Sequence, residues 1–287
     1  MKILQKDPVE ERHVDLHTHT TASDGLLKPE ELVQFASIKG LAAIAITDHD
    51  TTDGIEEGIK AGKKYHVDVL PGIELNTQIE DQEIHILGYY IHYKETWLQN
   101  ILNKIRKARD IRGQKMIERL NSLYGFDLDY NEVKRIAGDA AVGRLHIGRV
   151  MLEKGIVKNL AEAFENYLGT NSPAYVERYK LSPREGIQMI KKAGGVAVLA
   201  HPGLIDNQRL VQKIIDEGIQ GIEAFHTKHN DEQASYYCEL AKRNHLIVTG
   251  GSDCHGELIN GMPIVGDIRV GYEVIDAIKE LANLHKV

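Results

Sequence analysis

The chain has 287 residues, 42% of them hydrophobic, with 35 Lys+Arg, 42 Asp+Glu, 14 His and 2 Cys, for a formal charge of −7. This length accommodates one large or two modest domains and needs no disulfide staples; Cys238 and Cys254, with no N-terminal apolar segment, point to a reducing, cytoplasmic setting. Apolar runs such as 41–46 and 196–200 fall far short of the roughly 20 residues that span a bilayer, and the acidic balance argues against coating nucleic acid by bulk charge.

Short apolar runs alternate with helical patterns from residue 13 to about 91. Residues 14–16 read as a strand, and 28–39 as a helix with Pro29, Glu30 and Glu31 in its first turn, where proline and negative charge are favoured. Gly40 ends that helix, 41–46 is a buried strand, 51–64 a helix, and 67–73 and 83–91 are strands. Between 95 and 175 no strand is convincing. Leu98, Leu102, Ile105, Met116 and Leu120 recur at helical spacing, and shorter helices follow at 130–137, 146–154 and 160–168. The first grammar then returns: a capping box of Ser182 and Glu185 opens a helix over 182–193, followed by strand 196–200, helix 208–217, strand 221–225, helix 231–243 and strand 246–249. The pattern predicts a parallel α/β unit over 1–94 and 176–287, with an all-helical insertion over 95–175.

Histidine is the compositional anomaly, being both the commonest metal ligand and the usual acid/base group. The histidines are patterned. The first strand ends in Asp15-Leu16-His17-Thr18-His19, and residues two apart on a strand share a face. Later strands deliver His49 in Thr47-Asp48-His49-Asp50, then Glu74, His85, His201, His226, and Asp253 with His255. In a closed parallel barrel these strand ends meet in one pocket. Imidazoles mixed with carboxylates and free of thiolates suit Mn²⁺, Fe²⁺ or Zn²⁺, and a carboxylate such as Glu74 can bridge two cations.

These segments, with Ser23-Asp24-Gly25, Gly72-Ile73-Glu74, Ala200-His201-Pro202 and Gly251-Ser252-Asp253-Cys254-His255, resemble the motifs of the polymerase and histidinol phosphatase (PHP) phosphoesterases. The resemblance spans the non-inserted part of the chain and implies a distorted (β/α)7 barrel with a trinuclear metal centre, manganese foremost. By position, His17, His19, Glu74 and Asp253 would hold one ion, Glu74, His85 and His201 the second, and Asp24, His49 and His255 the third. All nine positions carry ligand-type residues, which favours an active hydrolase over a non-catalytic metal-binding module.

The run Ala141-Val142-Gly143-Arg144-Leu145-His146-Ile147-Gly148-Arg149, with Tyr175-Val176 and Ala193-Gly194-Gly195-Val196, looks like the PHP subgroup that hydrolyses nucleoside 3′,5′-bisphosphates and includes a 5′-to-3′ exoribonuclease. Leu145 stands where that subgroup usually has proline. The resemblance implies that the insertion caps the barrel mouth and grips a second phosphate and the base. Arg144, His146, Arg178 and Lys180 are candidate substrate contacts. His226, at a strand end, is a candidate proton donor, and His229 a further substrate contact. Seven cations crowd residues 104–119, and Arg106, Arg109 and Arg112 recur every third residue on one broad face.

The expected activity is therefore hydrolysis of the 3′-phosphate of nucleoside 3′,5′-bisphosphates or of 5′-phosphorylated short RNA ends. The alternative is histidinol phosphate phosphatase. Neither a membrane nor a stable protein partner is expected.

Overall fold

The computed structural model describes residues 12–177 and 179–284. The barrel begins with β1 (His13–Thr18), α1 (Pro29–Ile38), β2 (Ala43–Ile46), α2 (Ile55–Tyr65), β3 (Asp68–Ile79) and β4 (Gln82–Tyr89). The insertion follows as α3 (Thr96–Tyr124), α4 (Tyr130–Ala137), α5 (Arg144–Glu153) and α6 (Leu160–Ala163), the last running into a π-helical turn, Phe164–Leu168. The chain then returns through α7 (Pro183–Lys192), β5 (Val196–Leu199), α8 (Arg209–Asp216), β6 (Gly221–His226), α9 (Asp231–Arg243) and β7 (Ile247–Gly251). A small hairpin, β8 (Leu258–Ile259) and β9 (Met262–Pro263), precedes β10 (Val270–Gly271) and α10 (Glu273–Leu284).

Eight strands form one sheet in the order β10-β1-β2-β3-β4-β5-β6-β7. Strands β2 and β5, Ala-Ile-Ala-Ile and Val-Ala-Val-Leu, are buried at every residue, as strands covered on both faces must be. The sheet bends back so that β1 meets β7, and the fold is the expected α/β barrel of PHP type. Asp253 N–H donates to His17 O and His19 N–H to Cys254 O, both at 2.9 Å. Asp15 stitches the same seam by accepting from Ser252 N–H, Ser252 Oγ and Gly266 N–H at 2.9, 2.5 and 2.7 Å. Gly251 is required there, because a Cβ on it would lie 2.4 Å from His17.

The sheet departs from the all-parallel expectation at two strands. β4 pairs antiparallel with both β3 and β5, and β10 antiparallel with β1. A tight turn with Glu80 at φ 54° joins Ile79 to its partner Gln82, so β3 runs longer than the 67–73 predicted. Because β4 runs backwards, its beginning lies at the rim where the parallel strands end. This is why His85 reaches the site from early in its strand.

The insertion has its own core of Met116, Ile117, Leu120, Val133, Ile147, Val150, Met151 and Leu168. The single helix α3 enters two cores: Leu98 and Leu102, in its first half, pack with Ile73, Ile190 and Leu210 of the barrel. No helix of the described residues is long and apolar enough to cross a membrane.

Candidate metal centre

Glu74, at the rim of β3, is the hub. Its Oε2 lies 3.4 Å from His17 Nε2, 3.3 Å from His19 Nε2 and 2.8 Å from His49 Nδ1; its Oε1 lies 2.8 Å from His85 Nδ1 and 3.1 Å from His201 Nε2. Asp253 Oδ1 lies 3.4 Å from His17 Nε2 and 3.1 Å from His19 Nε2. Asp24 reaches His255 Nε2 at 3.4 Å and His49 Nε2 at 4.0 Å. All nine predicted ligand positions thus meet in one cluster. Their donor atoms form overlapping groups within 4.8 Å: His19 with Asp24, His49 and His255; His17 with His19 and Asp253; His17 with Glu74 and His201; His49 with Glu74 and His85. The groups cut across the partition implied by the resemblance: His19 joins Asp24, His49 and His255, His17 joins Glu74 and His201, and His85 groups with His49 as well as lying beside His201, their rings 5.0 Å apart.

The cluster fits divalent cations. His17 Nε2, both nitrogens of His19, Asp24 Oδ1 and Glu74 Oε2 are buried and, among the described residues, make no hydrogen bond of acceptable geometry despite lying close together. Unpaired buried polar atoms cost about 1–3 kcal/mol each, and lone pairs converging without hydrogen bonds are what a shared cation satisfies. Electrostatics agree. Burial pushes the Glu74 carboxyl up, but His49, His85 and His17 outweigh it and hold it well below the usual range. Burial is likewise outweighed at Asp253, chiefly by His17, His19 and His226, and at Asp24 by His49 and His255. The carboxylates are therefore ionised and ready to ligate.

Two cluster residues and Asp50, the neighbour of His49, sit in the left-handed backbone region: Asp50 at φ 54°, Asp253 at 54° and His201 at 27°. Each is held by its own amide, Asp50 on Glu74 O at 2.9 Å, Asp253 on His17 O at 2.9 Å, and His201 on the Glu223 carboxylate at 2.8 Å. Such backbone persists only where the surroundings over-determine it.

Two carboxylates behind the cluster escaped the sequence reading. Glu223 is fully buried and faces His17 Nδ1; Glu83 contacts His85 Nε2 at 3.0 Å. A bulge in β6 between Glu223 and Phe225 explains the first. Strict alternation would set Glu223 and His226 on opposite faces, whereas the extra residue turns both inward and leaves Phe225 outside. A charged residue inside an otherwise apolar buried strand was the available signal.

A cavity of about 750 Å³ opens from the cluster towards the insertion. Asp24, His49, His85, Asp253 and His255 form its floor; Ile105, Leu145, Leu160, Phe164 and Leu181 give it an apolar wall; Arg109, Arg112, Arg144 and Lys228 bring positive charge. Arg109 reaches Asp50 at 2.7 Å, while Arg106 pairs outside this cavity with Asp53 at 3.0 Å. The regularly spaced arginines therefore do not act as one face.

The other substrate candidates are less well situated. His146 is buried, and its Nδ1 accepts from Gly143 N–H at 3.0 Å, capping α5 instead of lining the cavity. Both nitrogens of His229 are used by backbone, Ala224 O at 2.8 Å and Gly203 N–H at 3.0 Å. Lys180 is exposed and pairs with Glu177 at 3.0 Å, and Arg178 lies outside the described residues. His226 accepts from Lys228 N–H at Nδ1, and its Nε2, buried without a hydrogen-bond partner among the described residues, lies 3.4 Å from Asp253 Oδ2 and is not part of the cavity lining.

Comparison with known proteins gives the family. The model of the PHP domain matches residues 15–245. The chain is 35% identical over 250 residues, 84% of each protein, to the 5′-3′ exoribonuclease Rnm of Salmonella typhimurium. It is 31% identical over 248 residues, 85% of this chain and 87% of the relative, to the 3′,5′-nucleoside bisphosphate phosphatase of Chromobacterium violaceum. A solved structure from Bifidobacterium adolescentis, provisionally described as a metal-dependent phosphoesterase, superposes with a TM-score of 0.85 at 29% identity, covering 93% of this chain and 96% of that one. With the family model matching residues 15–245 and a relative 35% identical over 84% of its length, the chain belongs to the PHP domain family.

Proposed function

We propose that this chain is a divalent-metal-dependent phosphoesterase that releases the 3′-phosphate of nucleoside 3′,5′-bisphosphates and cleaves the 5′-phosphorylated ends of short RNA. The carrying observation is the cavity that joins the ligand cluster to Arg112, Arg144 and Lys228 along an apolar wall. A nucleotide with two phosphates matches that layout: one phosphate at the cluster, the other at the insertion's cations, and the base against Phe164 and Leu160. The related exoribonuclease and bisphosphate phosphatase support the same substrate class.

Three cations, Mn²⁺ foremost, would be held by His17, His19, Asp24, His49, Glu74, His85, His201, Asp253 and His255. When bound, they supply Lewis acidity and hydroxide near neutral pH. The protein's part is positional. Glu74 spans the cluster, Asp253 keeps its carboxylate beside His17 and His19, and His226 Nε2 lies 3.4 Å from that carboxylate. The guanidinium of Arg144 and the exposed Lys228 neutralise the second phosphate. The segment 95–175 closes over the barrel mouth and limits water around the scissile bond.

The test incubates Mn²⁺-loaded protein with adenosine 3′,5′-bisphosphate and measures phosphate release. Intact protein should be active, and Asp253→Ala should lose roughly 10²–10³-fold in kcat, as removal of one preorganised charge does. Inactivity on the bisphosphate alongside activity on histidinol phosphate would overturn the substrate assignment. Outside the ligand set the cavity's cations outnumber Asp50, Glu83 and Glu257, which disfavours an amine-bearing substrate.

A further inference from the structure

A short relay of charged side chains runs from the metal cluster into the insertion. His85 turns Nδ1 to Glu74 Oε1 at 2.8 Å and Nε2 to Glu83 Oε1 at 3.0 Å. Glu83 in turn receives Arg144 Nη2 at 2.8 Å on Oε2 and 3.1 Å on Oε1. Arg144 opens α5; its Nη1 donates to Leu168 O at 3.5 Å, and its guanidinium carbon lies 5.6 Å from the centre of the Phe164 ring. The side chains of His85, Glu83 and Arg144 are 17%, 18% and 17% exposed, so the relay lines the cavity wall and is largely sheltered from water.

We propose that Glu83 is a positioning residue with two roles: it orients the His85 ring towards the metal cluster, and it holds Arg144 where a second phosphate arrives. The first role follows from the two ring nitrogens. With Nε2 engaged by a carboxylate, Nδ1 is the nitrogen turned to Glu74, and a histidine ligand oriented through its other nitrogen gains basicity as well as direction. The second follows from Arg144's contacts. Among the described residues only Nη2 meets Glu83, and Nη1 reaches only Leu168 O, which leaves Nε–H and the rest of Nη1 to a phosphate. An arginine fixed before binding does not surrender its rotamer freedom on binding, a cost that a free side chain would bear. Because Glu83 belongs to β4 and Arg144 to α5, the contact also sets the insertion's position over the barrel rim. The second role rests on the proposed bisphosphate substrate; the first does not.

The two roles separate in a double-mutant cycle of Glu83→Ala and Arg144→Ala, with Glu83→Gln as a variant of conserved size. Metal affinity is read by chelator competition, and kcat and KM on adenosine 3′,5′-bisphosphate. Glu83→Ala should weaken metal binding about tenfold or more, with Arg144→Ala close to the parent protein. It should also raise KM about tenfold, and adding Arg144→Ala should raise it little further, because Glu83 acts on KM through Arg144. Glu83→Gln should move both readouts in the same directions. Metal affinity within twofold of the parent overturns the first role. Additive KM effects overturn the second, as would a fall in KM, which would mean that Glu83 merely competes with phosphate for Arg144. If the parent protein hydrolyses an aryl monophosphate but not the bisphosphate, the substrate reading fails while the chelator measurement still decides the role at His85.

Discussion

Nδ1 of His17 lies 3.0 Å from Oε1 and 3.2 Å from Oε2 of Glu223, and both side chains are sealed from solvent. The same carboxylate accepts from His201 N–H at 2.8 Å. It therefore leaves Nε2 of His17 to face Glu74 and Asp253. Glu223→Gln keeps the volume and removes the charge. It should lower metal affinity by roughly 10–100-fold, the usual effect of losing a partner behind a ligand histidine. Titration against a fluorescent chelator measures this. Parent-like affinity would show that the carboxylate does not set the ring.

Loading the cluster should release protons. Burial pulls His19 down, but Asp253 and Glu74 lift it to about 10; burial is likewise outweighed at His85 by Glu74 and Glu83, which lift it to about 9. At pH 7.5 both imidazoles are therefore protonated without metal, and a ligand nitrogen must be neutral. Metal uptake should displace at least these two protons, and affinity should climb with pH until about 10, less steeply once His85 has lost its proton near 9. Calorimetry in two buffers of different ionisation enthalpy counts the protons; a buffer-independent heat at pH 7.5 would contradict the expectation.

Which parts of this were legible in the sequence follows from the range of the forces involved. Most of the nine candidate ligands were visible because they lie near the rim ends of predicted strands, a local pattern that survives without coordinates, whereas Asp24, in the loop after β1, was picked out only by the motif resemblance. Element bounds such as Asp231–Arg243 and Tyr130–Ala137 were equally local. The reversal of β4 was missed because a tight turn at Glu80 carries no glycine or proline to announce it. Glu223 was missed because its partner His17 is 206 residues away; Glu83 stands only two residues from His85, but its link to Arg144 spans 61 residues, and nothing local marks that link. His146 was misjudged because its motif position says nothing of which way the ring turns, and a helix-capping bond to Gly143 decides that.

That capped ring makes stability depend on acid. Burial pushes the His146 imidazole down to about 4 from 6.5, despite the nearby Asp24. The unfolded chain takes up the proton near pH 6.5 and the folded one resists until about 4. Between those values the unfolded state binds more protons, so stability is complete above 6.5 and falls as pH drops, by up to roughly 3 kcal/mol. His146→Gln keeps an acceptor for Gly143 N–H and cannot titrate. Urea unfolding across pH 4–7 should show a shallower decline in the variant; an identical slope would assign the acid sensitivity elsewhere.

Arg109 and Asp50 join α3 to the barrel rim across 2.7 Å, with only 18% and 3% of their side chains exposed. Asp50 also accepts from Asn76 N–H at 3.0 Å and Asn76 Nδ2 at 2.8 Å, and Asn76 Nδ2 lies 3.2 Å from His49 Nδ1. Arg109→Met would leave a carboxylate buried with too few compensating charges, which costs roughly 3–5 kcal/mol when a buried pair is broken from one side. Asp50→Asn in the same chain removes that carboxylate and retains the acceptor for Asn76. The double variant should therefore recover much of the loss in urea unfolding, even though it has lost one more native group. If single and double variants are equally destabilised, the loss comes from the packing of the arginine stem and not from a stranded charge.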